Sequence, residues 1–169
     1  MNTYKTYWQL YGGFPALVRS PYVYAALALT ALCFPYWNKQ DVNGTYPWAD
    51  TAIAIIPNLL GFSMGGMAVM LAFSGASFFK IIAEDGQKNS LFAQVIANFF
   101  HFVLVQGLTV TFALLVLAHP NSILSCFGFL FLTYSVMVAV ATAGQLLNIG
   151  VILNKTASLP EVGQDKNAK

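Results

Sequence analysis

Residues 89–154 read NSLFAQVIANFFHFVLVQGLTVTFALLVLAHPNSILSCFGFLFLTYSVMVAVATAGQLLNIGVILN, sixty-six residues without one Asp, Glu, Lys or Arg. A helix on a soluble surface needs a polar face, and this stretch supplies none. At a rise of about 1.5 Å per residue it crosses a hydrocarbon core of about 30 Å twice, with length left for a turn. Two shorter uncharged windows, 51–79 and 20–38, precede it.

Composition agrees with lipid as the solvent. Of 169 residues, 57% are hydrophobic and 8% charged, where a soluble domain carries roughly 25% charged residues. The net charge is +2, the eight basic residues are scattered, and Arg19 is the single arginine. No basic patch or forked phosphate reader is present, so direct nucleic-acid binding is not expected. Cys33 and Cys126 both fall in apolar segments. They are too few for a disulfide scaffold and have no close His or Cys partners for zinc, so neither a metal nor a cofactor is expected. Met1 to Arg19 holds Lys5 but no apolar core, so it does not read as a signal peptide.

The expected fold is all-α: a polytopic membrane domain over 1–153, with four transmembrane helices and an N-terminal interfacial helix. In residues 3–14, Tyr4, Tyr7, Trp8 and Tyr11 recur at three- and four-residue spacing. Rings with a polar edge suit the headgroup level, so these four read as an interfacial anchor, with packing on the protein's own bundle as the alternative. Spans follow at about 21–37, 50–79, 90–118 and 122–153. Pro57-Asn58 is expected to bend the second span or split off its first turn. Gly61, Gly65, Ala68, Ala72 and Gly75 form a stripe of small residues on that span, suited to close helix packing and to a homo-oligomer. Residues 154–169 read as a disordered cytoplasmic tail. Seven of the eight basic residues fall on one side of this layout, with Lys39 alone on the other. The positive-inside rule then puts both termini in the cytoplasm.

Chemistry is sparse. No span holds an Asp, Glu, Lys or Arg, which removes the intramembrane carboxylates of proton-coupled transporters and the arginines of voltage sensors. The small four-helix multidrug exporters resemble the chain in size and span count, yet they rely on a first-helix glutamate that is missing here. On the third span Gln94, Asn98 and His101 share a face; on the fourth, Thr142, Gln145 and Asn148 do. The two faces read as an interhelical hydrogen-bonded seam or as the lining of a hydrated vestibule. Gly61-Phe62-Ser63-Met64-Gly65 matches the G-x-S-x-G nucleophile elbow, but on a helix in place of a strand-to-helix turn. A Ser63–His101 pair superficially resembles a rhomboid site; rhomboids use about six helices and an oxyanion hole, neither of which is legible here. The chain is not expected to be an enzyme.

The span count, chain length and cytoplasmic termini resemble the small four-helix inner-membrane subunits of phage-defence and superinfection-exclusion systems, such as the membrane subunit of the Kiwa system. That resemblance implies a non-enzymatic sensor, scaffold or exclusion component of the bacterial inner membrane. A homo-oligomeric channel and an accessory subunit of a larger membrane complex are the alternatives. The partners expected are membrane lipid, further copies of the chain, and a cytoplasmic protein meeting loop 80–90 or the tail.

Overall fold

The computed structural model describes residues 2–72, 82–83, 86–87 and 90–157. Gly75, most of loop 80–90, the end of the second expected span and tail residues 158–169 lie outside these. Every regular element with a long run among the described residues is a helix. The order is α1 Thr3–Tyr11, α2 Gly13–Arg19, α3 Pro21–Leu32, α4 Phe34–Trp37, α5 Pro47–Ala72, α6 Leu91–Ala118 and α7 Ser122–Ala157.

Among the described residues three helices are long and apolar enough to cross a membrane, with spans at Pro47–Ala68, Leu91–Ala118 and Ser122–Ile152. α6 has 28 residues and α7 has 36, or about 42 and 54 Å of rise, more than a bilayer core needs. The short apolar helix α3 has 12 residues, about 18 Å, and so falls short of the core by itself. The expected span at 21–37 is divided at Cys33, where ψ turns to 15°. Pro35 has no N–H to continue the ladder, so α4 restarts as a separate turn.

The other boundaries have local causes. Pro47 begins α5 earlier than expected, a position where the missing N–H is not needed. α5 then runs through Pro57 without a break in the helix. Ser90 caps α6 by accepting from the Ala93 N–H at 3.3 Å. Asn121 starts α7, its side-chain oxygen accepting from Ile123 N at 2.8 Å and Leu124 N at 3.3 Å. The turn His119-Pro120-Asn121 makes α6 and α7 an antiparallel hairpin.

α7 packs on α6 and α3, α5 packs mainly on α6, and α1 lies across α6. Towards the His119 end the core gathers Trp37, Trp48, Ala52, Ala113, Val116 and Phe129. Midway it holds Ala26, Phe102, Val105, Tyr134 and Val138, and towards the Leu91 end Ile82, Val95, Phe99 and Ile149.

The His119 end is tied by a directed run of hydrogen bonds. Trp48 Nε1 donates to Ser125 Oγ at 2.7 Å, Ser125 Oγ donates to the Trp37 carbonyl, and Trp37 Nε1 donates to the Thr30 carbonyl at 2.7 Å. Ser122 Oγ donates to Asn38 Oδ1 beside it. The Trp48 ring reaches Ser125 only because residue 128 lacks a side chain: a Cβ on Gly128 would stand 2.5 Å from the Trp48 ring edge. Gly128→Ala is therefore expected to force the indole from its place and cost about 1–3 kcal/mol. A lowered unfolding midpoint of the detergent-solubilised protein measures it, and an unchanged midpoint would show that the ring has room to move.

Candidate functional site

His101 sits on α6, 10 residues after Leu91, about 15 Å along the helix. It is 7% exposed and both of its nitrogens are engaged. Nδ1 lies 2.6 Å from Tyr7 Oη of α1, and Nε2 lies 2.9 Å from Tyr134 Oη of α7. A neutral imidazole donates from one nitrogen and accepts at the other, while a phenol does either, so both tautomers satisfy the three groups. Tyr11 stacks on the ring with centroids 4.1 Å apart, and Tyr7 stacks at 6.2 Å. Tyr4 and Tyr7 add edge contacts to Phe100.

This cluster places the aromatic anchor. Tyr7 and Tyr11 face the bundle, while Tyr4 and Trp8 are 69% and 41% exposed. One helix thus holds two rings against protein and offers two outward. The Tyr7 phenol is pushed up to about 12, first by burial and then by the neighbouring Tyr11. It keeps its proton at neutral pH and stays a neutral phenol, able to give or take the hydrogen bond with His101.

The two polar triplets are placed unevenly. His101 belongs to the cluster, Asn98 is half-buried and Gln94 is exposed. Thr142 is buried and donates to the Val138 carbonyl of its own helix at 2.9 Å. Gln145 is half-buried, with an Oε1 that makes no hydrogen bond, and Asn148 is exposed. Where α6 meets α7 at this level the contact is apolar: Val95, Phe99 and Ile149, flanked by Leu91, Leu146 and Ile152. A depression there has no interior room for a water molecule.

Ser63 is buried and donates to the Leu59 carbonyl at 2.6 Å, while both His101 nitrogens meet tyrosines. The two are therefore not joined as nucleophile and base. Along the small-residue stripe Gly61, Gly65 and Ala68 are exposed, and nothing lies within 4 Å of a Cβ built on either glycine. The opposite side of α5 meets α7, with a Gly66 Cβ 3.5 Å from Leu146 and Met67 against Ile149's cluster. Ala72 lies in the last turn of α5. Cys33 and Cys126 are free thiols. Among the described residues no group of three His, Cys, Asp or Glu could hold a metal ion.

Two residues escaped the sequence reading. Tyr134 completes the His101 cluster; a lone phenol in an apolar run was its only signal. Gln106 is 0% exposed near the middle of α6, and neither amide atom has a partner. An unpaired buried amide is costly in a medium that offers no replacement bond.

Apolar helices of this length around a buried polar cluster point to an all-helical membrane protein. No family model matches the chain, and neither does any curated protein or solved structure.

Two expectations follow. His101→Phe strands the Tyr134 hydroxyl, which is 8% exposed, and should cost about 1–3 kcal/mol. The double variant His101→Phe/Tyr134→Phe should recover part of that loss because both partners become apolar. Unfolding midpoints of the wild type, both single variants and the double variant in detergent decide it; single losses that simply add in the double variant would mean no coupling. The second concerns pH. Tyr7's folded value of about 12 lies above its ordinary 10.0, so its contribution to α1 packing is full below about pH 10 and lost as pH rises through about 12. Absorbance titration at the tyrosinate band should show a late-titrating phenol that Tyr7→Phe removes.

Proposed function

We propose that the chain is a non-catalytic, four-span protein of the bacterial inner membrane with both termini in the cytoplasm. It works as a scaffold or sensor that excludes or reports incoming phage or plasmid DNA. The observation that carries this reading is the bare face of α5. Gly61, Gly65 and Ala68 are exposed and offer backbone to a neighbouring helix, whereas the interior is packed. Small residues allow the close approach that drives association in lipid, where burial of apolar surface gives no incentive. Subunits joined along α5 make an assembly whose aqueous surface is only loops and ends. That suits sensing or blocking at the membrane better than turnover of a soluble substrate.

Four spans are supported by α3 and α4 taken together. Pro21–Leu32 and Phe34–Trp37 with Cys33 between them make 17 residues, or about 25 Å, enough for a slightly thinned bilayer. The distribution of lysines supports the orientation. Loop 80–90 and the tail are the surfaces left for a cytoplasmic protein, and the same α5 face would serve an accessory subunit bound to a different partner. A channel would have to form between copies, since α6 and α7 meet through Val95, Phe99 and Ile149.

Expression alone should leave growth and membrane potential unchanged, while efficiency of phage plating or plasmid entry falls. Gly65→Leu should shift the protein to monomer in mild detergent and abolish that protection. A reporter active only outside the inner membrane should be bright at Asn43 and dark at the C-terminus. Collapse of the membrane potential on expression would favour the channel, and instability without a co-expressed partner the accessory subunit.

A further inference from the structure

α1 is attached to the bundle in an unusual way. None of its nine residues is buried. Its shortest polar link to the rest of the protein is the Tyr7–His101 bond at 2.6 Å, supported by a Tyr11–Tyr134 side-chain hydrogen bond, by the stacking of Tyr11 on the imidazole and by the edge contacts to Phe100. It ends at two successive residues in the left-handed region, Gly12 at φ 95° and Gly13 at φ 67°. A side chain is strained at both positions, and a Cβ on Gly12 would also stand 3.0 Å from Ala16 Cβ. Only glycines turn the chain here at little cost, and they leave it free to turn otherwise. On the outward face, Tyr4 and Trp8 are exposed beside Lys5 and Gln9. Amphipathic rings next to a lysine are the chemistry of the lipid headgroup interface.

We propose that α1 is a hinged strap with two seats. In one, Tyr7 and Tyr11 cover His101; in the other, α1 pivots at Gly12–Gly13 and lies on the lipid interface, leaving the His101–Tyr134 pair uncovered. The shape of α1 fits both seats. A helix in the interface rests roughly 5–10 Å below the headgroup boundary. His101 is 10 residues into a helix that overshoots the bilayer, so its seat lies at a comparable depth. Moving α1 therefore exchanges protein contacts for lipid contacts at nearly constant depth. Neither seat strands a charge, because Lys5 is exposed in the docked form and can remain at the headgroups in the other. The strap thus controls access to the buried imidazole from the side of the bundle, whichever partner the α5 face takes.

The test uses the full chain in liposomes of phosphatidylethanolamine and phosphatidylglycerol, with Cys33→Ala and Cys126→Ala as background. Nitroxides at Lys5→Cys and Leu114→Cys, both exposed positions, report the α1–α6 distance by pulsed electron resonance. Two discrete distances are expected. Tyr7→Phe should raise the longer population about fivefold relative to the shorter, the effect of losing one typical hydrogen bond. Tyr4→Phe, which keeps the ring against Phe100, should leave the ratio unchanged. In the longer state a lipid-borne quencher near the headgroups should quench Trp8 more strongly. A single distance indifferent to Tyr7→Phe overturns the proposal. So does a broad continuum in place of a second distance, which would mean fraying, or an equal response to Tyr4→Phe.

Discussion

Hydrocarbon offers no hydrogen bonds, and the bundle is arranged around that fact. Many of the hydroxyls on the apolar helices are folded back onto their own backbone four residues earlier. Thr30 donates to Ala26, Ser63 to Leu59, Thr109 to Val105, Thr111 to Gly107 and Thr142 to Val138. Asn58 does the same with its amide, to Ala54. Polar residues spent this way present an almost apolar surface to neighbouring helices. Helix contacts are then left to Phe, Val, Ile and Ala, and the few polar groups with bonds to spare become joints. Among the described residues three such joints stand out: the indole–serine run at the His119 end, the Thr30–Thr133 pair between α3 and α7, and the imidazole–phenol cluster nearer the Leu91 end. Gln106 is the one fully buried polar side chain among the described residues that neither folds back nor joins.

The joints also explain why the short elements stay in place. α3 is too brief to gain much by burying apolar surface, but Thr30 and Thr133 lie 3.1 Å apart and both donate to the Ala26 carbonyl. α4 is a single turn whose indole and carbonyl are both used by the first joint. The loop before α5 is ordered locally. Asp41 accepts from the backbone of Thr45 and Asn43 at 2.8 and 2.9 Å, and these bonds, the Thr45 one foremost, hold its carboxyl below the usual carboxylate range.

Charge spacing alone makes the long helices legible. α6 and α7 begin within a residue of where the sequence puts them, because a capping Ser90 and Asn121 adjoin each apolar run. The break at Cys33 is less legible: a proline at 35 is compatible with either a helix end or a kink. The site is legible only in part. Periodicity shows that Gln94, Asn98 and His101 share a face, but it leaves the rotation of the helix about its axis undetermined. The turn taken brings Val95 and Phe99 to α7 and leaves Gln94 exposed. His101 stands out as the imidazole within a span, yet its partners lie 94 and 33 residues away in sequence. No local pattern announces such pairings. The same holds for Gly128, whose necessity depends on a tryptophan from another helix.

The indole–serine run differs from the histidine cluster in one respect. An indole nitrogen can only give a proton and a carbonyl can only take one, so Trp48, Ser125, Trp37 and Thr30 have a single permitted reading direction. Reversing any link would leave two donors or two acceptors facing each other. At Tyr7, His101 and Tyr134 each member is ambidextrous, and the whole string can be read from either end without moving a heavy atom. One pole of the molecule therefore behaves as a ratchet locked at manufacture. The other is degenerate by two, and a contact that favours one reading at Tyr7 dictates the opposite role at Tyr134, on a different helix.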